Sequence, residues 1–69
     1  MRQYKIFRTD LGFWIYKKLE RENWTISIWF LDWKDKWVLN RDYARTFYHR
    51  EDAASALVIM KHKDAKETD

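Results

Sequence analysis

The sequence predicts an α+β fold: a four- to five-stranded antiparallel sheet, a meander, followed by one C-terminal helix packed on one face. Three observations carry this. Aromatic and β-branched residues recur in short strand-like runs up to residue 48. Polar turn residues separate those runs. After residue 50 the apolar period changes from that of a strand to that of a helix.

The first run, RQYKIFRT at residues 2–9, alternates loosely and ends at Asp10, Leu11 and Gly12, after which FWIYKKL resumes at residue 13. The only glycine falls where a short hairpin loop calls for positive φ. Residues 20–23, Glu-Arg-Glu-Asn, make a second connection. The next run, WTISIWFL at residues 24–31, favours a pleated strand through Thr25, Ile26 and Ile28. Asp32, Trp33, Lys34 and Asp35 read as a third turn, and KWVLN returns as a fourth strand. Residues 41–43 form a bend, and residues 44–48 are a short fifth strand or an extended lead-in to the helix.

From Arg50 onward, Ala53, Ala56, Leu57 and Met60 fall on one helical stripe, with Ala54 and Val58 beside it. Glu51 and Asp52 in the first turn and Lys61, His62 and Lys63 in the last complement the helix dipole. Residues 1–63 are therefore expected to form a single domain, with residues 64–69 as a flexible tail.

Composition narrows the class. The chain has 69 residues, 19% of them aromatic, with five tryptophans, one glycine and neither proline nor cysteine. A domain this small must draw its buried area from a few large rings, with no disulfide or thiolate metal site to help. The apolar runs are short and interrupted by charge, which argues against a membrane span or secretory signal and favours a cytoplasmic protein. The net charge of +3 is uneven: residues 1–50 hold 11 Lys/Arg against 6 Asp/Glu, and residues 51–69 hold 3 against 5. The basic part of the chain is the aromatic part, a footprint for phosphate or for an acidic protein surface.

One helix covers only one face of a four-stranded sheet. On the second strand Phe13, Ile15 and Leu19 oppose Trp14, Tyr16 and Lys18. On the third, Trp24, Ile26, Ile28 and Phe30 oppose Thr25, Ser27, Trp29 and Leu31. Taking the purely apolar sets as helix-facing leaves Trp14, Tyr16, Trp29 and Leu31, joined by Phe7 and Trp37, on a face lined by Lys5, Lys18 and Thr25. Large rings on an uncovered face are enriched at interfaces. The competing reading makes all of them core, with residues 40–48 folded across that side. On the first reading the expected binding residues are Trp14, Tyr16, Trp29, Trp33 and Trp37 as anchors, with Lys5, Lys18, Lys34 and Lys36 as cationic neighbours.

Recognisable reaction chemistry is absent. His49 and His62 are thirteen positions apart with no HExxH, so no metal site is expected. Ser55 and His62 lie two helical turns apart, too far for a nucleophile–base pair, and Ser27 is in mid-strand. The carboxylate pairs Glu20/Glu22, Asp32/Asp35 and Glu51/Asp52 fall in turns or a helix start, without the apolar setting that raises a pKa for acid catalysis. One glycine cannot build a phosphate-cradling loop, so no cofactor is expected. The expectation is a non-enzymatic binding protein. Basic residues interleaved with rings also suit a nucleic-acid or nucleotide binder that stacks bases on the same side chains, although the motif and element order of RNA-recognition domains are not present.

The stretch RTFYHREDAA at residues 45–54 resembles the close of many very small sheet-plus-helix proteins, in which a phenylalanine precedes a helix opening with acids and alanine. Those usually place Ser or Thr at the cap, where this chain has His49. The short length, the lack of cysteine and proline, and the density of Trp and Tyr resemble the small accessory proteins of tailed bacteriophages. The resemblance implies an inhibitor that binds and blocks a host protein, including components of antiviral defence, often as a homodimer. The expected partners are accordingly an acidic host protein or a second copy, with nucleic acid as the alternative.

Overall fold

In the computed structural model, which describes residues 2–20 and 25–67, four strands are followed by one helix. The strands are β1 (Arg2–Arg8), β2 (Phe13–Glu20), β3 (Ile26–Leu31) and β4 (Trp37–Val38), and they lie in the order β1-β2-β3-β4 with every neighbouring pair antiparallel. The helix, α1, spans Arg50–Glu67. This is the α+β meander the sequence predicts. The connection expected after Glu20 and the position of Trp24 lie outside the described residues.

Local chemistry sets the turns. At the β1–β2 hairpin the Thr9 amide donates to the Gly12 carbonyl at 2.7 Å, and the Thr9 hydroxyl accepts from the Gly12 amide at 3.0 Å. Gly12 does not have positive φ, so the expected conformational reason for a glycine is wrong. The reason is steric: a Cβ there would lie 2.2 Å from the Phe47 carbonyl oxygen. In the β3–β4 loop the Asp32 carboxylate accepts from the amides of Lys34 and Lys36 at 2.8 and 2.9 Å. Asp35 takes the left-handed conformation, φ 58°, which acidic and amide side chains tolerate. A single 3-10 turn, Arg41–Tyr43, follows β4, capped by the Asn40 side chain accepting from the Asp42 amide at 2.9 Å.

Residues 44–47 are extended and complete the sheet where β3 leaves it. Phe47 exchanges both backbone hydrogen bonds with Phe13, at 2.7 and 2.8 Å, and the Arg45 amide donates to the Leu31 carbonyl at 2.8 Å. These contacts are isolated bridges rather than a fifth strand. The segment joins the end of the sheet and does not fold across its uncovered face.

The register fixes which side chains share a side, because residues directly opposite in an antiparallel pair point the same way. Ile6 faces Ile15, Lys17 faces Trp29, and Leu31 faces Trp37. This side packs on α1 around Ile15, Leu31, Phe47, Ala53 and Met60, with Ile6, Phe13, Trp37, Ala56 and Leu57 against them. Tyr16 faces Phe30 and Lys18 faces Ile28 on the other side.

Among the described residues one charged group, Asp64, is buried on the core side. Asp64 is 5% exposed, and its carboxylate accepts from the Tyr4 hydroxyl at 2.6 Å, the Lys17 ammonium at 3.1 Å and the Trp37 indole at 3.3 Å. The donors come from β1, β2 and β4, so this carboxylate ties the helix to three strands. Burial works against the charge, but the hydrogen bonds from Tyr4, Lys17 and Trp37 and the Lys17 charge outweigh it, and the carboxyl is held below its usual range. Burial and the hydrogen bond to Asp64 push the Tyr4 hydroxyl above its usual value. The helix thus runs past Lys63 to Glu67, where a flexible tail was expected from residue 64.

Candidate functional site

Among the described residues nothing covers the side of the sheet opposite α1. That side carries Gln3, Lys5 and Phe7 from β1, Trp14, Tyr16, Lys18 and, at its end, Glu20 from β2, Ile26, Ile28 and Phe30 from β3, and Val38 from β4. Phe7 and Ile26 are each 51% exposed and Ile28 is 43% exposed, a large solvated apolar area for central and edge strands alike. The strands place these side chains by simple alternation, since each run reads apolar on both sides and one helix covers only one of them.

The rings on this side touch in a chain. Phe7 stacks on Trp14 with centroids 6.0 Å apart, Trp14 meets Phe30 edge-on at 5.8 Å, and Tyr16 leans on Phe30 at 6.3 Å. The Trp14 indole donates to the Thr46 hydroxyl at 3.4 Å. Such mutual contacts hold the rings in place before any partner arrives, which lowers the ordering cost of binding. Phe7, Tyr16, Ile28 and Phe30 line a shallow groove of about 240 Å³ in the middle of the face. Lys5 lies directly opposite Tyr16, and Lys18 directly opposite Ile28, so both ammonium groups border the apolar patch.

The structure brings together only part of the predicted set. Trp14, Tyr16, Lys5 and Lys18 share the open face, as expected. Trp29 does not: it is opposite Lys17 on the helix side, and its indole nitrogen is buried with no acceptor among the described residues. Leu31, expected beside it on the open face, is fully buried. Trp37 is also on the helix side, where its ring receives the Lys17 ammonium at 4.6 Å and its indole nitrogen donates to Asp64. Trp33, Lys34 and Lys36 occupy the β3–β4 loop, away from the open face. Trp33 is 62% exposed there, with the Arg45 guanidinium 5.5 Å from its ring.

Ile26, Ile28 and Phe30 replace Trp29 and Leu31 on the open face. They were expected in the core, and the difference is one residue of register in β3, which exchanges the two sides of the whole strand. The sequence between Glu20 and Ile26 contains neither glycine nor proline to specify a turn type, so it carries no signal of which side each β3 residue takes.

Comparison with protein-family models, with curated proteins and with solved structures finds no match. Among the described residues no group of three or more His, Asp or Glu side chains is gathered where a metal ion would sit. Among the same residues no helix is long and apolar enough to cross a membrane.

Proposed function

We propose that the chain is a non-enzymatic binding protein that lays the open face of its sheet against an acidic protein and acts by occluding that partner's surface. The observation that carries this reading is the exposure of Phe7, Ile26 and Ile28 around a preassembled aromatic cluster, bordered by Lys5 and Lys18. Aromatic anchors in an apolar centre with a charged rim are the usual anatomy of a protein interface, and rim charges chiefly steer association. Together with the bacteriophage resemblance, this favours an inhibitor of a host protein, one of antiviral defence included, met in the host cytoplasm.

A second reading is nucleic-acid or nucleotide binding, favoured by the ring chain Phe7–Trp14–Phe30–Tyr16 beside two lysines. The aliphatic half of the face, Ile26, Ile28 and Val38, offers bases little and a protein surface much. Salt separates the two. A phosphate-dependent complex loses affinity by orders of magnitude between about 50 and 200 mM salt when many phosphates are contacted, whereas an apolar interface changes far less. A nuclease-resistant complex whose Kd changes less than about tenfold over that range supports the protein partner. A steep loss, or release by nuclease, supports the nucleic acid.

A further inference from the structure

The outer edge of β1 is a sheet edge separate from the open face. β1 lies at the end of the sheet order, and among the described residues its only strand neighbour is β2. Which of its backbone groups are free follows from the ladder. Phe13 gives its amide and carbonyl to Phe47, away from β1, so Arg8 and Phe13 form a pair that exchanges no backbone hydrogen bonds. The pattern alternates along an antiparallel ladder. The amides and carbonyls of Phe7 and Lys5 therefore point at β2, and those of Arg8, Ile6, Tyr4 and Arg2 point outward.

The charge on this edge is of one sign. The strand reads RQYKIFR, with basic residues at both ends and in the middle and no acid. Arg2, Lys5 and Arg8 are all exposed, and the Lys61 ammonium on α1 lies 5.7 Å from the Tyr4 ring, adding a fourth cation beside the edge. A second copy pairing along all seven residues would set Lys5 against Lys5 and Arg2 against Arg8 at both ends. Like charges directly opposite are destabilising, so the edge repels itself.

We propose that the outer edge of β1 is a strand-addition site for an extended acidic peptide segment, which pairs with Tyr4 and Ile6 and places its carboxylates against Arg2, Lys5 and Arg8. Main-chain hydrogen bonds supply the affinity in this mode, and the alternating side chains supply selectivity. An added strand also extends the sheet next to Phe7, so it widens the open face without depending on that face being a contact surface.

The test is a titration of the full chain with an end-blocked heptapeptide carrying Glu at positions 1, 4 and 7 and Val between them, so that carboxylates fall opposite Arg2 and Arg8 on one side of the sheet and Lys5 on the other, followed by amide chemical shifts and hydrogen exchange. Slowed exchange at the Tyr4, Ile6 and Arg8 amides, with Lys5 and Phe7 unchanged, is the expected result. N-methylating the peptide at the positions that face β1 should abolish binding, whereas N-methylation at the intervening positions leaves it. The Lys5→Glu/Arg8→Glu double variant should weaken binding by roughly tenfold or more. The proposal is overturned by exchange that does not change at Tyr4 and Ile6, or by shifts confined to Trp14, Ile28 and Phe30. It is also overturned if these amides are already protected without peptide in a species of twice the mass, which would assign the edge to a second copy.

Discussion

Asp64 on α1 and Lys17 on β2 meet at 3.1 Å with side chains only 6% and 13% exposed, forty-seven residues apart in the chain. Removing one partner of such a buried pair strands the other charge and typically costs about 3–5 kcal/mol. That rivals the whole stability expected of a 69-residue domain. Asp64→Ala should therefore be largely unfolded by circular dichroism at 37 °C, while the same change at exposed Asp10 in the β1–β2 turn leaves the melting curve in place. Lys17→Met, which leaves the carboxylate with Tyr4 and Trp37, should fall between them. An Asp64→Ala melting temperature within about 2 °C of wild type would show that the cluster adds no stability.

The same cluster sets a pH profile. The Asp64 carboxyl is held below its ordinary value of 3.8, so its contribution is present above that value and is lost as pH falls toward the lowered one. The Tyr4 hydroxyl is raised above its ordinary 10.0, so its contribution is present below pH 10.0 and is lost as pH rises through the raised value. Urea midpoints should be flat between these limits as far as this pair is concerned, with an acid and an alkaline fall. Tyr4→Phe should flatten the alkaline fall. An unchanged alkaline limb in that variant would contradict the assignment.

Gly12→Ala tests the close approach to Phe47. The obstacle is a backbone carbonyl, which cannot rotate away, and overpacking of this kind costs about 1–3 kcal/mol. For a domain of this size that is a drop of roughly 4 °C or more in melting temperature.

Trp29 and Ile28 test the register of β3. Trp29→Ala should cost about 3 kcal/mol or more, since it empties part of the helix-facing side. Ile28→Lys should cost about 1 kcal/mol or less, since its side chain is 43% exposed on the other side. The reverse order in denaturant titrations would place the two sides of β3 the other way round.

Much of this architecture is legible in the sequence because local signals agree. The strand runs are bounded by turn residues, and the stripe Ala53, Ala56, Leu57 and Met60 is the stripe that packs. What was not legible depends on relations between distant residues. No turn signal precedes β3 to fix its face assignment, and both of its alternating sets contain large apolar side chains, so hydrophobicity could not choose between them. Asp64 reads as a tail residue in a charged C-terminal run. It continues the stripe one turn beyond Met60, and that spacing is the only sequence signal of its burial. Gly12 looks like a turn glycine, and its real constraint, the Phe47 carbonyl, comes from residues thirty-five positions later. The open face itself follows from counting, one helix for a sheet with two apolar sides.

The central claim, that this open face is the contact surface for an acidic protein, is tested most directly by comparing three immobilised chains in one nuclease-treated bacterial lysate: wild type, Ile28→Lys and Trp33→Ala, with retained proteins identified by mass spectrometry. Wild type and Trp33→Ala should retain the same acidic protein, and Ile28→Lys, folded as wild type by circular dichroism at the assay temperature, should retain none of it. Equal retention by Ile28→Lys, or loss in Trp33→Ala alone, would move the contact surface away from the open face and contradict the account.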